Sequence, residues 1–180
     1  IQQGHRVAYR EVHVLLEELA DATLDGARKD YLAAMSTVPL LILDDIDTGA
    51  GTAWAREKLL QVVNHRYNAS LPTVFTTTTR PQQLDERLAT RLCDEGLSRV
   101  MVLDAEVRGG YAQVGGMTRE RIAEHQFRTF DLRVAGLHSE ERESLESAFR
   151  AAMAYAEDPK GWFVLQGANG CGKTHLAAAI

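Results

Sequence analysis

The 180-residue sequence predicts an α/β fold, a mostly parallel five-stranded sheet layered between helices, and three segments carry that prediction. Val38-Pro39-Leu40-Leu41-Ile42-Leu43-Asp44-Asp45 places four consecutive large aliphatics before two acids, the pattern of a strand buried on both faces of a parallel sheet. Gly161-Trp162-Phe163-Val164-Leu165-Gln166 reads as a second buried strand, followed at once by the glycine-rich turn Gly167-Ala168-Asn169-Gly170-Cys171-Gly172-Lys173-Thr174. His175-Leu176-Ala177-Ala178-Ala179-Ile180 then opens a helix. Strand, glycine-rich turn and helix form the context that gives such a turn its chemistry.

The remaining elements follow in chain order. Ile1-Gln2-Gln3-Gly4-His5 reads as the last turn of a helix closed by a glycine, and Arg6 to Val12 alternates as a strand. His13 to about Asp25 carries Leu15, Leu16 and Leu19 at helical spacing, with Glu17, Glu18 and Asp21 on the polar side. Asp30 to Ser36 makes a further short helix. Beyond the acidic strand, residues 48–52 form a turn. Ala53 to Asn68 is a helix that faces Trp54, Leu59, Val62, Val63 and Tyr67 inward. Leu71 to Thr77 is a β-branched strand with Pro72 confined to its start. Pro81 opens a helix that runs through about Cys93, and Ser98 to Leu103 is another strand. Gly109, Gly110, Gly115 and Gly116, among few large apolar residues, mark 105–118 as a linker. Ser139 caps a helix whose first turn carries Glu140 and Glu141. Its inward stripe is Leu145, Phe149, Met153 and Ala156. Asp158-Pro159-Lys160 turns into the strand that precedes the glycine-rich turn.

That turn is a complete phosphate-binding P-loop. Its glycines let backbone N–H groups close around a polyphosphate at the start of a helix. Lys173 reaches the β- and γ-phosphates and Thr174 offers a hydroxyl to Mg²⁺. The two acids at the end of the aliphatic strand complete the set. They sit where open α/β sheets bind ligands, with Asp44 holding Mg²⁺ and Asp45 orienting or deprotonating the attacking water. These residues imply a nucleoside triphosphate as ligand.

Composition narrows the setting. An apolar fraction of 45% suits one domain with a proper core, and no apolar run approaches a membrane span. The first residues do not resemble a signal peptide. Cys93 and Cys171 are too few and too scattered for a disulfide framework or a zinc site, which points to a reducing cytoplasm. A net charge of −5 argues against strong general affinity for nucleic acid and leaves room only for a local basic patch.

The order of the segments is unusual, because the acidic strand precedes the P-loop by more than a hundred residues. Joining Ile180 to Ile1 restores an ordinary helix followed by a strand, so the sequence reads as a circularly permuted domain. A real permutation, a fragment spanning two tandem copies, and segments joined in an unnatural order all account for this. Residues 1–104 then supply the second half of one core, 105–126 a linker and pre-core segment, and 127–180 the first half. On the permuted reading Ile1 and Ile180 lie within about 10 Å, since a few missing helical residues rise only about 1.5 Å each.

In restored order the sequence resembles the bacterial helicase-loader and IstB-type AAA+ ATPases, the DnaC-like family. The resemblance rests on residues 172–180, on Leu40 to Ile46, on Trp54 to Glu57 and Val63 to Tyr67, on Leu71 to Thr78, on Leu84 to Leu92, and on Phe127 to Asp131. It implies a three-layer P-loop NTPase of the ASCE/AAA+ type that hydrolyses ATP with Mg²⁺. Thr78 falls where relatives often place a sensor Asn, and Arg91 matches the arginine finger that enters a neighbouring subunit's site, with Arg87 as the fallback. Phe127 and Phe130 correspond to residues lining the adenine pocket. The helical region at 13–35 corresponds to the lining of a single-strand DNA channel in initiator-type relatives, and Arg6, Arg10, Arg28 and Lys29 are its basic residues. No helicase-binding N-terminal domain and no helical lid after Leu103 are visible. The implied partners are single-stranded DNA, other copies of the chain, and a replicative helicase or, in the IstB-like branch, a transposase. A P-loop kinase for a small metabolite and an ATP-binding switch without turnover are the readings from other classes.

Overall fold

The computed structural model describes residues 6–22, 25–48, 51–104, 123–134 and 136–180. The five strands are β1 (Val7–Glu11), β2 (Leu40–Asp44), β3 (Thr73–Thr77), β4 (Ser98–Leu103) and β5 (Trp162–Gly167). They form one sheet in the order β1-β2-β3-β5-β4, and every pairing is parallel. The P-loop strand, last in the chain, therefore lies inside the sheet, where Phe75 faces Val164 on one side and Val100 faces Val164 on the other. One strand, β3, separates it from the acidic strand β2.

Alternation along the buried strands builds the two helical layers. Leu41, Leu43, Phe75, Trp162 and Val164 meet α1 (Val12–Asp21), α2 (Asp25–Thr37), α3 (Ala53–Asn68) and α4 (Glu86–Leu92). Leu40, Ile42, Val74, Phe163 and Leu165 meet α5 (Ser139–Glu157) and α6 (Lys173–Ala179). A strand covered on both faces needs apolar side chains in both directions, which is why β2 reads as an unbroken aliphatic run. No helix among the described residues is long and apolar enough to cross a membrane.

At the N-terminal ends of the strands, Arg66 of α3 is fully buried. Its Nε donates to Thr73 Oγ1 at 2.9 Å, its Nη2 to Pro72 O at 2.6 Å, and its Nη1 to Met35 O at 3.2 Å, Ser36 O at 3.3 Å and Val38 O at 2.8 Å. One guanidinium thus ties the end of α2 to the starts of β2 and β3. Trp162 closes the same end, its ring against Tyr67 and Phe75 and its Nε1 donating to Leu71 O.

Several helical expectations need correction. The helix expected from Pro81 to Cys93 is two pieces, a 3-10 turn at Pro81–Gln83 and then α4, whose N-cap Asp85 accepts from Arg87 N. Asp85 wins because its short carboxylate captures an orphan N–H and restarts the helix. Helix α5 is capped by His138 in a reciprocal pair with Glu141, which makes Ser139 the first helical residue and not the cap. The buried stripe of α5 is Leu145, Ala148, Ala151, Ala152 and Tyr155, while Met153 is 40% exposed. Alanines let the helix approach the sheet closely, and that contact sets the helix's rotation more strongly than the larger Met153 does. Helix α2 is longer than expected, at Asp25–Thr37, and α1 ends at Asp21. Ile1 to His5 and the glycine-rich linker fall outside the described residues, as does the approach of Ile1 to Ile180.

Candidate functional site

Strand β5 delivers Gly167 to the C-terminal edge of the sheet, and the turn to α6 begins there. Gly170 and Gly172 take φ of +81° and +102°, the left-handed region that favours glycine. A Cβ on Gly172 would come within 2.7 Å of the Phe130 ring, and one on Gly167 within 2.4 Å of Leu103 O. The turn closes on its own lysine: Lys173, 5% exposed, donates from Nζ to Gly167 O and Ala168 O at 3.0 Å each. Ala168, Asn169 and Gly170 face solvent, whereas Cys171 is buried beneath the turn, and burial pushes its thiol pKa up.

The acidic strand reaches the same place. Asp44, 2% exposed, accepts at Oδ1 from Thr174 Oγ1 at 3.2 Å and from Thr76 Oγ1 at 2.5 Å, and at Oδ2 from the Tyr9 hydroxyl. Burial first, and then the charge of Asp44, raise the Tyr9 phenol far above its usual range, so it remains a donor. Asp45 turns out of the strand at φ +54°, its N–H donating to Thr76 Oγ1 at 2.9 Å. Burial and then the neighbouring Asp44 hold the Asp45 carboxyl above the usual carboxylate range, against the opposing pull of Lys173. A carboxyl held this way is a better proton acceptor than a free aspartate.

Other expected residues divide between the two ends of the sheet. Thr78 stands just beyond β3, exposed, with its hydroxyl and N–H both given to Asp47. Phe130 stacks on Phe149, touches His175 edge-on and covers Gly172, while Phe127 meets Phe149 at a right angle. His175 is joined to the same segment, with Nε2 3.0 Å from Gln126 O and 3.3 Å from Thr129 Oγ1. Burial lowers its imidazole pKa. Arg91 lies elsewhere. Its carbonyl accepts from Ser98 at the start of β4, so it sits at the end of the sheet away from the P-loop. Its guanidinium lies over the Tyr67 ring, 5.5 Å from the centroid, and bonds Arg87 O; no ion pair with Glu86 or Asp94 forms. Tyr9, Thr76 and Asp47 escaped sequence reasoning. Tyr9 and Thr76 read as ordinary strand residues, and only Asp47's place three positions beyond Asp44 could have drawn notice.

The residues present fit ATP and Mg²⁺. The Thr174 hydroxyl and the Asp44 carboxylate converge as hard oxygen donors, and Mg²⁺ typically takes one or two protein oxygens and completes its shell with phosphate and water. No cluster of three or more His, Cys, Asp or Glu suited to a metal occurs among the described residues.

A parallel sheet of this order, with a lysine-bearing glycine turn one strand removed from an aspartate-ended strand, defines a P-loop nucleotide-binding domain of the AAA+ type. Residues 1–105 match the IstB-like ATP-binding protein family, and the chain belongs to it. The P-loop at 167–174 lies outside the matched stretch. The replicative helicase loader DnaI of Bacillus subtilis is 29% identical over 106 residues, covering 52% of this chain and 33% of that protein. The chromosomal replication initiator DnaA of Bacteroides thetaiotaomicron is 27% identical over 89 residues, covering 48% of this chain and 19% of that protein. The chain thus spans about a third or less of these relatives. Its fold matches AMPPCP-bound DnaA from Aquifex aeolicus at a TM-score of 0.51 and 16% identity, over 87% of this chain and 48% of that one. A replication initiator DnaA bound to AMPPCP and single-stranded DNA matches at 0.52 and 16% identity, over 87% and 47%.

Proposed function

We propose that this domain hydrolyses ATP with Mg²⁺ and acts on single-stranded DNA as a helicase-loader-type ATPase. The observation that carries the reading is the contact between Thr174 and Asp44, 130 positions apart in the chain. It brings the P-loop and the acidic strand into direct contact.

The residues divide the work as follows. Lys173 exchanges the Gly167 and Ala168 carbonyls for β- and γ-phosphate oxygens, a trade of neutral acceptors for charged ones. Thr174 and Asp44 hold Mg²⁺, which neutralises charge on the phosphates when bound. Asp45 takes the proton of the attacking water. Phe127 and Phe130 flank the adenine side, next to the turn that Phe130 already covers. Arg91 serves a neighbouring copy's site, which fits its position far from its own P-loop, so turnover needs a homo-oligomer. The likeness to a helicase loader supports a role in replication with a replicative helicase as partner.

The family match supports a second reading, an IstB-like helper that shapes target DNA for a transposase. Both readings share the pocket and differ in partner. ATP hydrolysis is measured with and without single-stranded DNA, on the chain and on Lys173→Ala. DNA-stimulated turnover that Lys173→Ala abolishes supports the reading; turnover that needs a small-molecule phosphate acceptor, or binding without turnover, contradicts it. Added replicative helicase or transposase then separates the two partners.

A further inference from the structure

Asp47 occupies an unusual position. Ile46 N donates to Thr76 O at 3.0 Å, extending the β2–β3 pairing beyond the strand. Thr48 binds back to Asp45 O through N and Oγ1. Asp47 is thereby fixed against the end of β3, where its Oδ2 gathers four donors. They are the N–H and hydroxyl of Thr78 and, at 3.1 and 3.0 Å, the N–H and hydroxyl of Thr79. Its Oδ1 is buried with no hydrogen-bond partner. Burial alone would raise this carboxyl, but the bonds from Thr78 and Thr79 outweigh it and hold the pKa below the usual value.

A carboxylate only accepts, so the Thr78 hydroxyl must spend its single proton on Asp47. Asp47 is also among the charges that raise the Asp45 carboxyl, since like charges disfavour one another.

We propose that Asp47 is a positioning residue for the hydrolysis inferred above, on which this inference rests. By taking the Thr78 proton it leaves that oxygen with only lone pairs to offer, so Thr78 accepts a hydrogen bond from the attacking water and donates none to the terminal phosphate. The water then has both O–H bonds engaged, one on Thr78 and one on Asp45, and its lone pair is free for phosphorus. As the new P–O bond forms, the bond between the β–γ bridging oxygen and the γ-phosphorus breaks. ADP leaves with that electron pair, and the water's proton passes to Asp45. An amide at position 78 could donate to the phosphate as well; this hydroxyl cannot.

The test compares Mg–ATP turnover in the presence of single-stranded DNA with binding of the analogue AMPPCP. The variants are Asp47→Ala, Asp47→Asn, Thr78→Val and the double Asp47→Ala/Thr78→Val. Asp47→Ala and Thr78→Val should each lower kcat roughly 10- to 100-fold while AMPPCP affinity stays within about twofold, and the double should fall no further. Asp47→Asn should restore most turnover, because its amide oxygen can take the same four donors. Unchanged kcat in Asp47→Ala, equal losses in kcat and AMPPCP affinity, or additive losses in the double would overturn the proposal. If Asp47→Ala does not fold, Asp47→Asn and Thr78→Val decide it: Thr78→Val with normal kcat overturns it. Absent hydrolysis in the unaltered chain would instead remove the ATPase reading, and this inference with it.

Discussion

The two ends of the sheet bury polar groups for opposite ends. At the N-terminal end, Arg66 finds an acceptor for each of its nitrogens, four of the five acceptors being carbonyls. Burial lowers its pKa only to about 10, so it remains a cation at neutral pH. At the C-terminal end, Lys173 rests on two carbonyls it can leave, Asp45 holds a left-handed φ, and one oxygen of Asp47 has no partner. A satisfied network such as that of Arg66 fixes structure. Left-handed φ and unmade bonds occur at both ends, at Ser70 and Arg91 Nε as well as at Asp45 and Asp47. What sets the C-terminal end apart is a lysine whose neutral acceptors a charged ligand can replace.

The sharpest way to break this contrast is at Asp45. Asp45→Asn should lower ATP turnover about 10²- to 10⁴-fold and leave AMPPCP binding intact, as measured by steady-state hydrolysis and calorimetry. Arg66→Met should act in the other currency. It removes all five of these hydrogen bonds, so unfolding should become easier by about 3 kcal/mol, or roughly 6–12 °C in Tm, with AMPPCP affinity unchanged in the folded fraction. Arg66→Lys, which lacks the planar fork, should recover only part. Gly172→Ala should weaken AMPPCP binding about tenfold, because its φ is costly for alanine and its new Cβ meets Phe130. The smallest effect concerns acid stability. The Asp47 carboxyl is lowered on folding from 3.8, so its stabilising contribution is complete above that value and is lost as pH falls through the folded pKa. Asp47→Asn should flatten that part of the Tm-against-pH curve.

These two ends were not equally legible in the sequence. The P-loop, Asp44 and Asp45 announce themselves because their spacing is tied to chemistry, and the aliphatic run of β2 reveals a strand covered on both faces. Helix α3 could be bounded at Ala53 and Asn68 from its flanking turns. Arg66 was not recognisable as core, since hydrophobic periodicity counts any arginine as surface and only tertiary contacts supply its acceptors. The rotation of α5 was misread for a related reason: alanines weigh little in a pattern, yet their small size decides how close a helix packs. Asp47 was hidden because its partners, Thr78 and Thr79, are thirty-one and thirty-two positions away, and Arg91 gave no sign that it would lie on Tyr67.

The central claim is that Thr174 and Asp44 share one Mg²⁺ beside the phosphates, and calorimetric binding of ATP with Mg²⁺ and with EDTA tests it most directly. The unaltered chain should bind ATP more tightly with the metal; Thr174→Ala and Asp44→Asn should each remove that gain, and the double variant should do no more. Full retention of the Mg²⁺-dependent gain in either single variant would contradict the account.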